Sequence, residues 1–128
     1  MRARLLFALS TLLAFQAPAL ATGVDVVAVE AIDAVPRGPN LAERLAEIRR
    51  RIQQELVYPA SARQRGLTGV SELEFVIGVE GRAEEITLVG SSGHRILDRA
   101  AQRSVEAAGV LPRVYGRLRV PVRFDLGE

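Results

Sequence analysis

The stretch GVSELEFVIGVEGRAEEITLV, running from Gly69 to Val89, decides the fold class. Ser71, Leu73, Phe75 and Ile77 fall on one face of its first half, and Val70, Glu72, Glu74 and Val76 on the other. A period of two is the pattern of a strand with one buried side. Gly78-Val79-Glu80-Gly81 supplies a turn, in which Gly81 permits a positive φ. A second strand follows at about Arg82 to Val89, with Ile86 and Leu88 inward, so the two form a hairpin.

Upstream of the hairpin, Leu41, Leu45, Ile48, Ile52 and Leu56 recur at spacings of three and four and line one face of a helix. Asn40 followed by Glu43 has the form of a capping box. Glu43 and Glu47 lie early in this helix and Arg49, Arg50 and Arg51 late, which suits its dipole. Three successive arginines splay around a helix, so they read as solvated surface. Tyr58-Pro59 stops the helix, because proline disfavours helical backbone in the residue before it. Ala60 to Arg65 makes one more turn, ended by Gly66.

Downstream, Ser91-Ser92-Gly93 is a loop, and Arg95 to Ala108 a second long helix. Its stripe is Ile96, Leu97, Ala100, Ala101, Val105 and Ala108, with Gly109 as the stop. The alanines allow close approach to a sheet. The last segment alternates strictly: Leu118, Val120, Val122, Phe124 and Leu126 on one side; Arg117, Arg119, Pro121, Arg123 and Asp125 on the other. Pro121 cannot donate a backbone hydrogen bond, which predicts a strand at the sheet edge. The order α-β-β-α-β gives a two-layer α+β fold, with helices packed on one face of a small antiparallel sheet.

A length of 128 residues suits one domain. With 48% hydrophobic and 25% charged residues, the chain is neither wholly disordered nor a polytopic membrane protein. All 17 basic residues are arginine, a bias that nothing in the sequence explains. Setting aside Arg2 and Arg4 leaves 15 arginines against 15 acidic residues, so no excess positive field remains for nucleic acid or an anionic membrane.

Residues 1–21 have the order of a secretory leader: basic Met1 to Arg4, apolar Leu5 to Phe15, and Ala19-Leu20-Ala21 before the cleavage point. The alternative is an uncleaved anchor, but Gln16 and Pro18 interrupt the run well short of the roughly 20 residues of a span. With cleavage after Ala21 the chain is exported and keeps no span. It has no cysteine, so neither a disulfide nor a lipid-anchored cysteine is available. Residues 22–39 read as a flexible linker, closed by Pro36, Gly38 and Pro39; a short strand at Val24 to Val29 is the other reading. Residues 40–128 are the folded domain.

His94 is the only histidine, which removes most metal sites. Ser91, Ser92, His94 and Asp98 have the residue types of a nucleophilic triad, but eight consecutive residues rarely align such groups beside an oxyanion hole. A serine capping the helix, with Asp98 in its first turn, is the plainer expectation. Glu72, Glu74, Glu84 and Glu85 read as solvated strand residues. No catalytic group, cofactor or metal is expected, and the chain is not an enzyme.

From Tyr58 to Leu126 the sequence resembles the C-terminal domain of the TonB family. The series is Tyr58-Pro59-Ala60 with Ala62 and Gly66, then Gly69, Phe75 and Gly81, then Ser91-Ser92-Gly93-His94, Leu97-Asp98, Ala100-Ala101, Val120-Pro121-Val122 and Phe124. The resemblance implies a periplasmic module that grips a short segment of an outer-membrane receptor, or of another envelope protein, by adding it as a strand. That segment would lie along Arg117 to Leu126, near Val57 to Pro59. The implied partner-binding residues are Val57, Tyr58, Pro59, Arg117, Arg119, Val120, Pro121 and Arg123. Tyr58 has a second reading, as a plug between helix and sheet. Arg117, Arg119 and Arg123 either protect the edge or select an acidic peptide. Self-pairing of the edge into a homodimer is the alternative function.

The family joins this domain to a membrane anchor through a Pro-rich spacer. Here residues 22 to 39 reach only about 60 Å at full extension, so energy transduction by this chain alone is not expected. Val57 stands where family members often carry glutamine.

Overall fold

The computed structural model describes residues 23–127, in the chain order β1 (Gly23–Val26), β2 (Glu30–Ala31), α1 (Leu41–Glu55), α2 (Ala60–Gln64), β3 (Gly69–Ile77), β4 (Ala83–Gly90), α3 (Arg95–Glu106) and β5 (Leu118–Asp125). The leader, residues 1–21, lies outside the described residues. The hairpin forms as its alternation predicts. Ser71, Leu73, Phe75 and Ile77 are all buried, and Gly81 turns the chain at φ 88° with its N–H donating to the Gly78 carbonyl.

Ile48 and Ile52 of α1 and Leu97, Ala101 and Val105 of α3 are buried in one core with Leu73, Phe75, Leu118, Val120, Val122 and Phe124. Both long helices therefore serve one face of the sheet, and the α+β class is as expected. Gly69 shows why the Ser91-Ser92 loop can lie so close. A Cβ there would sit 2.6 Å from the Ser92 carbonyl oxygen.

The edge expected at the last strand is not where the sequence put it. The sheet order is β1-β5-β3-β4, so β5 is internal. On one side it pairs with β3 from Gly69 opposite Phe124 to Phe75 opposite Leu118. On the other it pairs with β1, Gly23 opposite Asp125 to Val26 opposite Val122, and with β2, Glu30 opposite Arg119. Pro121 is accommodated because its carbonyl, and hence its nitrogen, points to the β1–β2 side, where Val27 N–H donates to the Pro121 carbonyl at 3.0 Å. There the outer strand bulges, taking one more residue from Val26 to Glu30 than β5 takes from Val122 to Arg119. The missing donor falls at the break between β1 and β2.

Residues 23–39, the described part of the expected linker, are correspondingly not a free linker. Val26 is fully buried and Val29 nearly so. Ile32 N–H donates to the Arg117 carbonyl, the Asp33 carboxylate accepts from Arg117 N–H, and Arg37 pairs with Asp33 and donates to the Tyr115 carbonyl. The Asn40 cap also differs: Asn40 is left-handed at φ 58°, with no side-chain cap bond. Asparagine tolerates that backbone better than most residues. Arg44 organises the helix start instead, donating to the Arg37, Pro39 and Arg113 carbonyls.

The buried Val26 separates a folded strand from a linker. Val26→Ala is expected to lower unfolding stability by about 2 kcal/mol, from lost apolar transfer and the cavity left behind. Urea denaturation checks this, and an unchanged midpoint would mean that β1 is not part of the cooperative fold.

Candidate interaction site

The alternation of β5 divides its residues between two roles. Val120, Val122 and Phe124 are buried side chains whose backbone groups face β3. Arg117, Arg119, Pro121 and Arg123 carry the backbone groups that face β1 and β2, and their side chains lie on the sheet face away from the helices. Of the residues implied for partner binding, Val120 is thus in the core. The arginines line the outer edge. Each is ion-paired: Arg119 to Glu74 at 2.8 Å, Arg117 to Glu74 and Glu85, and Arg123 to Asp25 at 3.2 Å.

At the Phe124 end of β5 lies the Val57–Pro59 segment. Tyr58 is buried, its ring edge-on to Phe124 with centroids 5.5 Å apart, and its hydroxyl donates to the Leu67 carbonyl. The Arg63 guanidinium sits 4.9 Å from the ring centroid. Burial raises the phenol pKa; Arg63 opposes the shift and Asp125 adds to it. Tyr58 therefore ties α2 to the sheet, while Val57 beside it is 67% exposed. Val57 and Pro59 line a cleft of ≈ 130 Å³ with Glu55, Ala100 and Arg103.

Two residues of α1 complete the edge, and sequence reasoning missed both. Gln53 accepts from Val26 N–H at 2.7 Å and donates to the Val24 carbonyl at 3.1 Å. Arg49 donates through Nε to the Val26 carbonyl at 2.7 Å and through Nη2 to Asp25 at 3.2 Å. They lie four residues apart, on one stripe of the helix beside Ile48 and Ile52. Arg51, although partly exposed, also pairs with Glu47 and donates to the Val110 carbonyl. Their position bordering the apolar stripe was the available signal.

The Ser91, Ser92, His94 and Asp98 group is structural. Neither serine makes a side-chain cap bond to α3, whose N-cap is His94. Asp98 instead reaches back: its buried carboxylate accepts from Ser91 Oγ at 2.6 Å, Ser71 Oγ at 2.7 Å, Ser92 Oγ at 2.8 Å and Ser92 N–H at 2.9 Å. The carboxylate fastens the Ser91–Ser92 loop to β3 and α3, and no serine is aligned with the imidazole. Among the described residues no group of three His, Cys, Asp or Glu residues is placed to hold a metal.

The fold and this edge define a class of two-layer α+β sheet domains with one strand paired unequally on its two sides. The family described as Gram-negative bacterial TonB protein C-terminal matches residues 54–126, and the chain belongs to this family. Curated relatives include Protein TonB of Pseudomonas putida, 41% identical over 56 residues, which cover 44% of this chain and 23% of that one. Protein TonB of Haemophilus ducreyi is 36% identical over 72 residues, covering 54% of this chain and 26% of that one. The matched region thus spans about a quarter of those relatives. The solution structure of the Helicobacter pylori TonB C-terminal domain superposes with a TM-score of 0.61 at 29% identity, covering 70% of this chain and 88% of that one.

The Asp98 knot makes a pH-dependent contribution. Burial alone would raise its pKa, but the hydrogen bonds from Ser91, Ser92 and Ser71 outweigh burial and hold it below the usual carboxylate value. A carboxyl depressed in the folded state stabilises above its unfolded pKa of about 3.9, and that stabilisation is lost as pH falls through the folded value. Asp98→Ala is expected to cost about 3 kcal/mol at neutral pH. Urea titrations at stepped pH should show the deficit shrinking below about pH 4; a constant deficit down to strong acid would contradict the charged network.

Proposed function

We propose that this chain is an exported TonB-type interaction module of the periplasm. Residues 1–21 are removed as a leader, and the remainder binds a short extended segment of an outer-membrane receptor or another envelope protein, in transport across the cell envelope. The segment adds as a strand to the outer edge of β5, beside Arg117, Arg119, Pro121 and Arg123, and ends near Val57, Tyr58 and Pro59. Val120 supports the edge from beneath. No helix among the described residues is long and apolar enough to cross a membrane.

One observation carries this reading. The inner side of β5 is paired without interruption from Gly69 to Phe75, whereas the outer side is held by pieces of four and two residues, joined by a bulge at Val27 to Val29 that keeps the Val27 N–H bond to the Pro121 carbonyl. An interrupted neighbour leaves the outer side the easier one to exchange. Strand addition suits a module without catalytic groups, since the backbone supplies affinity and alternate side chains supply selectivity. About four to six bonds at a net 0.5–1.5 kcal/mol each, less ordering costs, correspond to binding no tighter than micromolar. Pairing of β5 between two copies requires the same opening, and a mass that rises with concentration in sedimentation would favour it.

The test is a titration of isotope-labelled residues 22–128 with the periplasm-exposed N-terminal peptides of the host's outer-membrane receptors. Shifts clustered on Arg117–Leu126 and Val57–Pro59 are expected. Silence across the panel, with a well-dispersed folded spectrum, would overturn receptor binding.

A further inference from the structure

We propose that Arg49 and Gln53 form a strand clamp over the outer edge of β5, that β1 is its resident occupant, and that a partner segment displaces β1 and needs the same apolar–acidic–apolar triplet. This rests on the strand-addition reading and adds to it the residues that grip the incoming strand, the sequence they select and the competitor it meets.

The clamp reads two kinds of information. Gln53 holds only main-chain atoms, the Val26 N–H and the Val24 carbonyl, so it accepts any residue type in extended conformation. Its carboxamide serves as the next strand would, one acceptor and one donor matched to alternate residues. Side-chain selection comes from the two sheet faces. Val26 is completely buried and Val24 packs partly against the core, so those positions demand apolar residues. Asp25, between them, points to the opposite face, 3.2 Å from Arg49 and 3.2 Å from Arg123. Without an acid there, two guanidinium groups face each other unneutralised.

Because β1 belongs to the same chain, it is present at high effective concentration. The affinity of any rival strand is reduced by the fraction of molecules with the edge open. Weakening β1 alone must therefore strengthen binding of a strand supplied from outside.

The probe is a peptide copying residues 23–32, titrated into labelled residues 22–128 carrying the parent sequence, Asp25→Asn or Asp25→Arg. Asp25→Arg, which sets a third positive charge beside Arg49 and Arg123, is expected to tighten binding about tenfold, and Asp25→Asn by a smaller factor. Shifts should appear at Arg119, Arg123 and the Gln53 side-chain amide. Placing arginine at the Asp25 position of the peptide should remove the gain. Equal affinity for all three chains, or binding that leaves the Gln53 amide unmoved, overturns the clamp. Receptor peptides separate the two claims. If they bind β5 equally in all three chains, the strand-addition reading stands and the clamp falls. If the copy peptide binds as expected and no receptor peptide competes with it, the clamp stands and receptor binding falls.

Discussion

The structure depends on β5 being paired on both sides with unequal strength. Its buried side chains, Leu118, Val120, Val122 and Phe124, form the floor of the core on which α1 and α3 rest. Its inner ladder to β3 joins it to the hairpin, and its outer ladder draws the first described residues of the chain into the sheet. Tyr58 docks on Phe124 at one end of the strand, and the Asp33–Arg37 segment is tied to Tyr115 and Arg117 near the other. One strand thus organises both the core and the surface on which a second chain would pair.

Much of the fold was legible because it is written in local periods. The alternation in Gly69–Ile77 and Leu118–Phe124 and the three-and-four spacing in α1 and α3 each specify a face, and those faces meet as expected. What was only half legible, as with the short strand at Val24 to Val29 that stood as the other reading of the linker, depends on distant partners. Gly23–Val26 is four residues long, and Asp25 finds Arg123 across 98 positions. Pro36, Gly38 and Pro39 made the same region look like a linker. Pro121 shows how a sound local rule gives a wrong global answer. It does require a side where no acceptor waits for its absent N–H, but the break between β1 and β2 meets that need inside the sheet.

Five of the arginines act as backbone ties. Arg37, Arg44, Arg49, Arg51 and Arg113 each donate to main-chain carbonyls, fastening the first segment, the start of α1, β1 and the loop before β5. A planar guanidinium with five donors can serve several carbonyls at once, as Arg44 and Arg113 do, whereas an ammonium group has no such fork. A reading that treats charge as solvated surface overlooks this use, which is why Arg49 was missed.

Amide hydrogen exchange on the intact domain tests most directly whether the outer side of β5 opens separately from the inner one. The amides of Val120, Val122 and Phe124 face β3 and should exchange only through global unfolding. Those of Arg119 and Arg123 face β1 and β2 and should exchange faster, through local opening, although they alternate with the first set along one strand. Two protection levels interleaved within β5 are the predicted result. Uniform protection along the strand would mean that the outer ladder opens only when the whole domain does, and would contradict the account of an exchangeable edge.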